Sequence, residues 1–245
     1  MPVLLLTLLV ALTPVTTDPA DGITRTLRVA PGVRVMVSAT VGDITIAGWD
    51  RPEVEIAIAR RAPSSDRLAD ISTAIDAGAE AVRITVVQRD GLRDARLRGS
   101  VTIHAPFDQA FGDVELFEGA ISLRDLRGGI RAKVDRGSID ATALSGAIRL
   151  ETGIGDVRLD RAELTNRGAI RLRTFNGNVA LGFDGTPADA RILALSLGGT
   201  IQSEIPLTFK AQFGPRFGEA TLGRGDRVVS IDVVRGDIRI ARGDI

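Results

Sequence analysis

The chain has 245 residues, with 31 basic and 31 acidic side chains, one histidine and no cysteine. Balanced charge excludes a global pull toward nucleic acid or anionic lipid. Without cysteine there are no disulfides, zinc-thiolate sites, thiol nucleophiles or lipidated-cysteine anchors, and a single histidine, His104, excludes a multi-histidine metal centre. Only Lys133 and Lys210 are lysines. Arginine suits bidentate carboxylate or phosphate contacts, and a biased base composition produces the same excess.

The first element is an apolar run from Val3 to Leu12, followed by Thr13-Pro-Val-Thr-Thr-Asp-Pro-Ala20. Such a run falls short of the roughly 20 residues that span a bilayer and matches a signal-peptide core. Only Met1 and Pro2 precede it, so the usual positive charge is missing. The expectation is a leader over residues 1–20, an exported protein (periplasmic, cell-surface or extracellular), and no integral membrane segment after leader removal. A buried N-terminal strand or helix is the alternative.

Strands follow. Thr24 to Val37 alternates loosely around a turn at Ala30-Pro-Gly32, and Val41-Gly-Asp-Ile-Thr-Ile46 leads to Trp49. Glu53 to Ala59 has a period of two, with its apolar face on the even positions. Ser64-Ser-Asp66 reads as a helix cap, and Leu68, Ile71, Ile75 and Ala79 recur at helical spacing. A helix is expected there. Val82 to Gln88 and Gly99 to Ala105 are further strands, separated by a charged stretch expected to be a solvated turn.

From Gly112 a phrase repeats: glycine, any residue, an aliphatic residue, any residue, then usually an aliphatic one. From Gly119 the glycines are spaced by 9, 9, 9, 9, 13 and 9 residues, through Gly128, Gly137, Gly146, Gly155 and Gly168 to Gly177. A fixed short period means one supersecondary unit stacked many times. Side chains alternate along a strand. Val114, Leu116, Ile121, Leu123, Ile130, Ile139, Ile148, Leu150, Val157, Leu159, Ile170, Leu172, Val179 and Leu181 therefore point inward, while Asp113, Glu115, Arg131, Asp140, Arg149, Asp156, Arg158 and Arg171 point outward. A one-faced strand cannot stand alone, and stacking coil on coil buries that face. Two units per coil repeat every 18 residues, and three units are also compatible. Beyond the block, Ile192 to Leu197 is an apolar strand, Ile205 to Phe217 is irregular, and Val228 to Ile240 holds two strands.

The expected fold class is all-β: a single-stranded β-solenoid, β-helix-like, with short strand repeats and one N-terminal capping helix. Residues 21–98 form the capping lobe, and residues 99–245 form the solenoid repeat region continuous with it.

The order of Val41-Gly-Asp-Ile-Thr-Ile46, a Val-Thr-Ile-His-Ala-Pro106 segment and Gly-x-Ile/Val-x-Leu units resembles the bacterial β-strand-repeat family described as putative adhesins. The resemblance covers about Ile23 to the C-terminus. It implies a β-solenoid at the cell envelope and supplies no catalytic residues.

Candidate sites are few. Arg131, Arg149 and Arg171 share the fourth position of units starting at 128, 146 and 168. If alternate units stack, the three form a column at about 4.8 Å per rung. Adjacent carboxylates either neutralise it or leave it ready for an acidic polysaccharide. Calcium-binding nonapeptides need a Gly-Gly-x-Gly-x-Asp turn, which is missing here. Arg-Gly-Asp occurs at 224, 235 and 242, but Gly-Asp before an aliphatic residue belongs to the repeat phrase. Asp140 and Asp156 could be imagined as a paired-carboxylate site. No nucleophile motif, phosphate loop or metal-ligand spacing is present. The reading is a non-catalytic exported protein with no cofactor and no metal. It binds an envelope polysaccharide, a surface protein or another copy of itself, and not nucleic acid. The alternatives are a carbohydrate-active β-helix enzyme and a self-assembling envelope scaffold.

Overall fold

The computed structural model describes residues 20–91, 93–165, 168–210, 216–243 and 245. Of the expected leader, residues 1–19 lie outside the described residues. Among the described residues the protein is all-β, and no helix is long and apolar enough to cross a membrane.

Glycine-bounded period-2 segments dictate the elements. The N-terminal strands are β1 (Ala20–Leu27), β2 (Arg34–Trp49), β3 (Val54–Arg61), β4 (Ile71–Ala77), β5 (Ala81–Gln88) and β6 (Arg98–Pro106). The repeat block forms β7 (Phe111–Leu126), β8 (Ile130–Arg136), β9 (Ile139–Leu144), β10 (Ile148–Ile154), β11 (Val157–Ala162), β12 (Ile170–Asn176) and β13 (Val179–Phe183). The last third holds β14 (Ala190–Gly198), β15 (Ile201–Ser203), β16 (Thr208–Phe209), β17 (Arg216–Leu222), β18 (Val228–Arg235) and β19 (Ile238–Ala241).

Successive repeat units alternate between two parallel ladders. In one, Ile148 of β10 stands between Ile130 of β8 and Ile170 of β12. In the other, Val157 of β11 stands between Ile139 of β9 and Val179 of β13. Equivalent residues are thus 18 apart, from 130 to 148 and from 139 to 157, and 22 apart from 148 to 170 and from 157 to 179. This is the two-unit period. The long strands β2 and β7 run through both ladders, bending at Gly42 and Gly119, which pair with each other. All fourteen residues expected to point inward are buried, none more than 4 % exposed. The core runs along the space between the ladders.

The helix expected after Ser64 is corrected. Asp66–Asp70 is a 3₁₀ turn, and Ile71–Ala77 is β4, paired antiparallel with β5 from Ile71↔Gln88 to Ala77↔Val82. Ile71, Thr73, Ile75 and Ala77 alternate as readily as the helical set recurs. Two β-branched isoleucines and a threonine favour the strand. The open edge of β5 decides the matter, because its backbone groups need partners. The charged stretch after Gln88 is also more ordered than a solvated turn. Buried Gln88 donates to the carbonyls of Asp94 and Leu97 and accepts from the Asp94 amide.

Chain order and spatial order diverge toward the C-terminus. β18 lies between β12 and β14, and β19 lies between β13 and β15. β17 closes the far side of β14 antiparallel, as β4 closes β5 and β3 closes β6 at the other end.

Candidate functional site

The turn from one ladder to the other is built from stacked glycines. Gly137 has φ +139° and Gly155 has φ +138°. A Cβ on Gly137 would overlap the carbonyl oxygen of Gly119, and one on Gly155 that of Gly137. The same clash recurs from Gly177 to Gly155 and from Gly236 to Gly177. Only glycine fits such close backbone approach. Three buried hydroxyls serve these carbonyls: Thr152 Oγ1 donates to Gly137 O (2.8 Å), Thr174 Oγ1 to Gly155 O (2.9 Å) and Ser196 Oγ to Gly236 O (3.0 Å).

The residue after each glycine joins a second ladder of hydrogen bonds. Asp156 Oδ1 accepts from the Asn178 amide at 2.7 Å, Asn178 Oδ1 from the Asp237 amide at 2.9 Å, and Asp237 Oδ1 from the Thr200 amide at 2.7 Å. The Thr200 amide, helped by its hydroxyl, holds the Asp237 carboxyl below the usual range. These aspartates cap neighbouring strands. In Arg235-Gly236-Asp237 the glycine and aspartate both belong to this corner, and in Arg224-Gly225-Asp226 the arginine pairs with Asp226 at 2.8 Å. Asp244, in the third tripeptide, lies outside the described residues. Asp140 Oδ2 accepts from Ser138 Oγ at 3.3 Å while Asp156 accepts from the Asn178 amide, so the two carboxylates have separate partners.

Arg131, Arg149 and Arg171 are brought together. They occupy directly paired positions on β8, β10 and β12. Two of them are neutralised: Arg131 Nη1 is 2.8 Å from Asp113 Oδ1, and Arg149 grips Glu151 Oε1 through Nε and Nη2 at 2.8 and 2.7 Å. Arg171 is exposed and forms no ion pair among the described residues. Two positions on, Arg173 is likewise exposed and unpaired, between Glu151 and Asp232 in register. The repeat phrase stops one residue short of Arg173, although the period of two already placed it on the outer face.

His104 stacks on Trp49 with ring centroids 5.3 Å apart, and its Nδ1 lies 3.7 Å from Glu55 Oε1. Arg51 packs over the Trp49 ring, and the indole N–H donates to Glu53 O at 2.8 Å. The lone histidine therefore has structural partners. At the opposite corner, where chain returns to the first ladder, a groove of about 470 Å³ is lined by Asp125, Arg127, Arg161, Glu163 and Asp184 among others. Asp125, Ala143 and Arg161 line it with φ of 55°, 55° and 48°. These left-handed residues turn the chain, and at Arg161 the β11–β13 register shifts. Among the described residues no three carboxylate or imidazole groups gather where a metal ion could be held.

No family model matches the chain, and no curated protein matches it. Solved structures do. A putative cell adhesion protein from Clostridium sporogenes is similar at 11 % identity and a TM-score of 0.46, over 90 % of this chain and 99 % of its own. A putative adhesin from Bacteroides fragilis is similar at 14 % identity and a TM-score of 0.42, over 90 % and 97 %. Another, from Parabacteroides distasonis, has 10 % identity and a TM-score of 0.26, over 90 % and 97 %. These bacterial proteins carry the description of the family that the sequence resembles.

Proposed function

We propose that this protein is an exported, non-catalytic β-solenoid that binds an acidic envelope polysaccharide through the outer face of β8, β10 and β12. One observation carries the reading: arginines stand in register on three consecutive strands, and toward β12 they run out of carboxylate partners. Polyanions with a regular charge spacing match a regular column of guanidinium groups. The non-catalytic part rests on how the outward carboxylates are used. Asp113 and Glu151 neutralise arginines, while Asp156 and Asp237 cap strands.

The test is retention on immobilised acidic polysaccharides at low salt, with wild type against Arg149→Gln/Arg171→Gln. Wild type is expected to be retained and the variant to bind about tenfold more weakly, each lost charge contact being worth roughly 0.5–1 kcal/mol at an exposed site. Equal retention of both proteins overturns the assignment to this face. New reducing ends or unsaturated products from the same polymers would replace it with an enzyme.

A further inference from the structure

We propose that the outer face of β12, β18 and β14 is a second docking surface, which lies flat on a bilayer carrying anionic headgroups. The Ile192–Leu197 run is apolar on both faces of β14. Ile192 and Ala194 point into the core with buried Ser196, while Leu193, Leu195 and Leu197 point out. A strand apolar on both faces is the pattern of one covered on both faces, yet on this side Leu193 and Leu195 are only half-buried and Leu197 is exposed. Register extends the apolar row across the sheet, from Leu197 of β14 through Val234 of β18 to Phe175 of β12. Phe175 is 55 % exposed and Leu197 50 %.

Charge selects the occupant. Arg171 and Arg173 project from β12 beside this row without ion pairs. Of the acids in register on this face, Glu151 is taken by Arg149 and Glu219 by Arg191, which leaves Asp232 on β18 among them. Strand spacing puts Phe175 and Leu197 about 10 Å apart, with Arg173 about 7 Å along the strand from both Phe175 and Arg171. Exposed aromatic and aliphatic side chains edged by arginines on one sheet face match the boundary between acyl chains and anionic headgroups. The proposal shares Arg171 with the polysaccharide-binding face and is told apart from it by Phe175 and Leu197, which polysaccharide binding does not use.

The test uses the full chain and vesicles of phosphatidylcholine with one quarter phosphatidylglycerol, against pure phosphatidylcholine. The chain has no cysteine, so Val234→Cys carries one environment-sensitive fluorophore. A blue shift on the anionic vesicles, much weaker on the neutral ones, is expected. In co-sedimentation, Phe175→Ser/Leu197→Ser and Arg171→Gln/Arg173→Gln should each lower vesicle affinity by about 10- to 30-fold. Residues 3–12 are common to every variant, so differences between variants report the patch. Unchanged thermal unfolding of both variants shows that the fold is kept. The proposal is overturned by an unshifted fluorophore or by a shift equal on both vesicle types. Unchanged binding of the serine variant also overturns it. A blue shift that grows with protein concentration in the absence of lipid assigns the patch to a second copy of this chain instead.

Discussion

Glycine at the ladder corner is a steric requirement at Gly155, where the carbonyl of Gly137 occupies the space a Cβ would need. Gly155→Ala is expected to destabilise the protein by at least about 3 kcal/mol, since it combines a glycine-only backbone angle with a backbone clash. Gly185, with φ +81° and open space around it, is the control. Its alanine variant should cost about 1–2 kcal/mol from backbone strain alone. Urea unfolding of the two proteins checks the contrast, and equal losses would refute the steric account. Thr174 tests the same corner from the side chain. Thr174→Val removes the buried donor to the half-buried Gly155 carbonyl, at an expected cost of about 0.5–1.5 kcal/mol. The glycines were legible in the sequence because they recur at a fixed period. The buried hydroxyls were not, since threonine toward the end of a strand is common and its partner lies 19 residues earlier in the chain.

At the scale of elements, β18 and β19 hold the C-terminal third together, for each is sandwiched between strands that precede it in the chain. Ending the chain after Gly223 leaves β12 and β14 without the strand between them. The expected outcome is that β14 to β17 lose amide-exchange protection while β8 to β11 keep theirs. Protection of β14 retained in the truncated chain would contradict this. The strands themselves were readable, because Val228 to Ile240 alternates. Their insertion between earlier strands was not, because a repeat phrase specifies how a unit pairs and leaves open with which neighbour. β4 shows the opposite failure. Ile71 and Ile75 satisfy both a helical and a strand period, and the edge of β5, distant in neither sequence nor space, decides between them.

For the whole molecule, acid provides a test of the polar network. Arg96 holds the Asp94 carboxyl at about 2, against an ordinary 3.8. Arg191 lowers Glu219, and the Thr200 amide lowers Asp237. A carboxylate with a lowered folded-state value adds stability that is present above its unfolded value and lost as pH falls through its folded one. The urea midpoint should therefore decline between about pH 4 and pH 2, and Asp94→Asn should decline less steeply over that window. A parallel decline of both proteins would remove Asp94 from the account. The outer face gathers its meaning only at this scale. Arg131, Arg149 and Arg171 could be aligned from unit positions, but the neutralisation of Arg131 by Asp113 and of Arg149 by Glu151 depends on how side chains meet on the sheet. Sequence alone determined the strand period, the inward set and the glycine corners, because alternation and sterics act within a few residues. Tertiary structure alone decided the strand order at the C-terminus, the strand at Ile71–Ala77, and which arginines stay free beside Phe175 and Leu197. Those outcomes turn on which backbone edges and charges meet between strands, across distant parts of the chain for the C-terminal order and the arginines, and across one short turn for Ile71–Ala77.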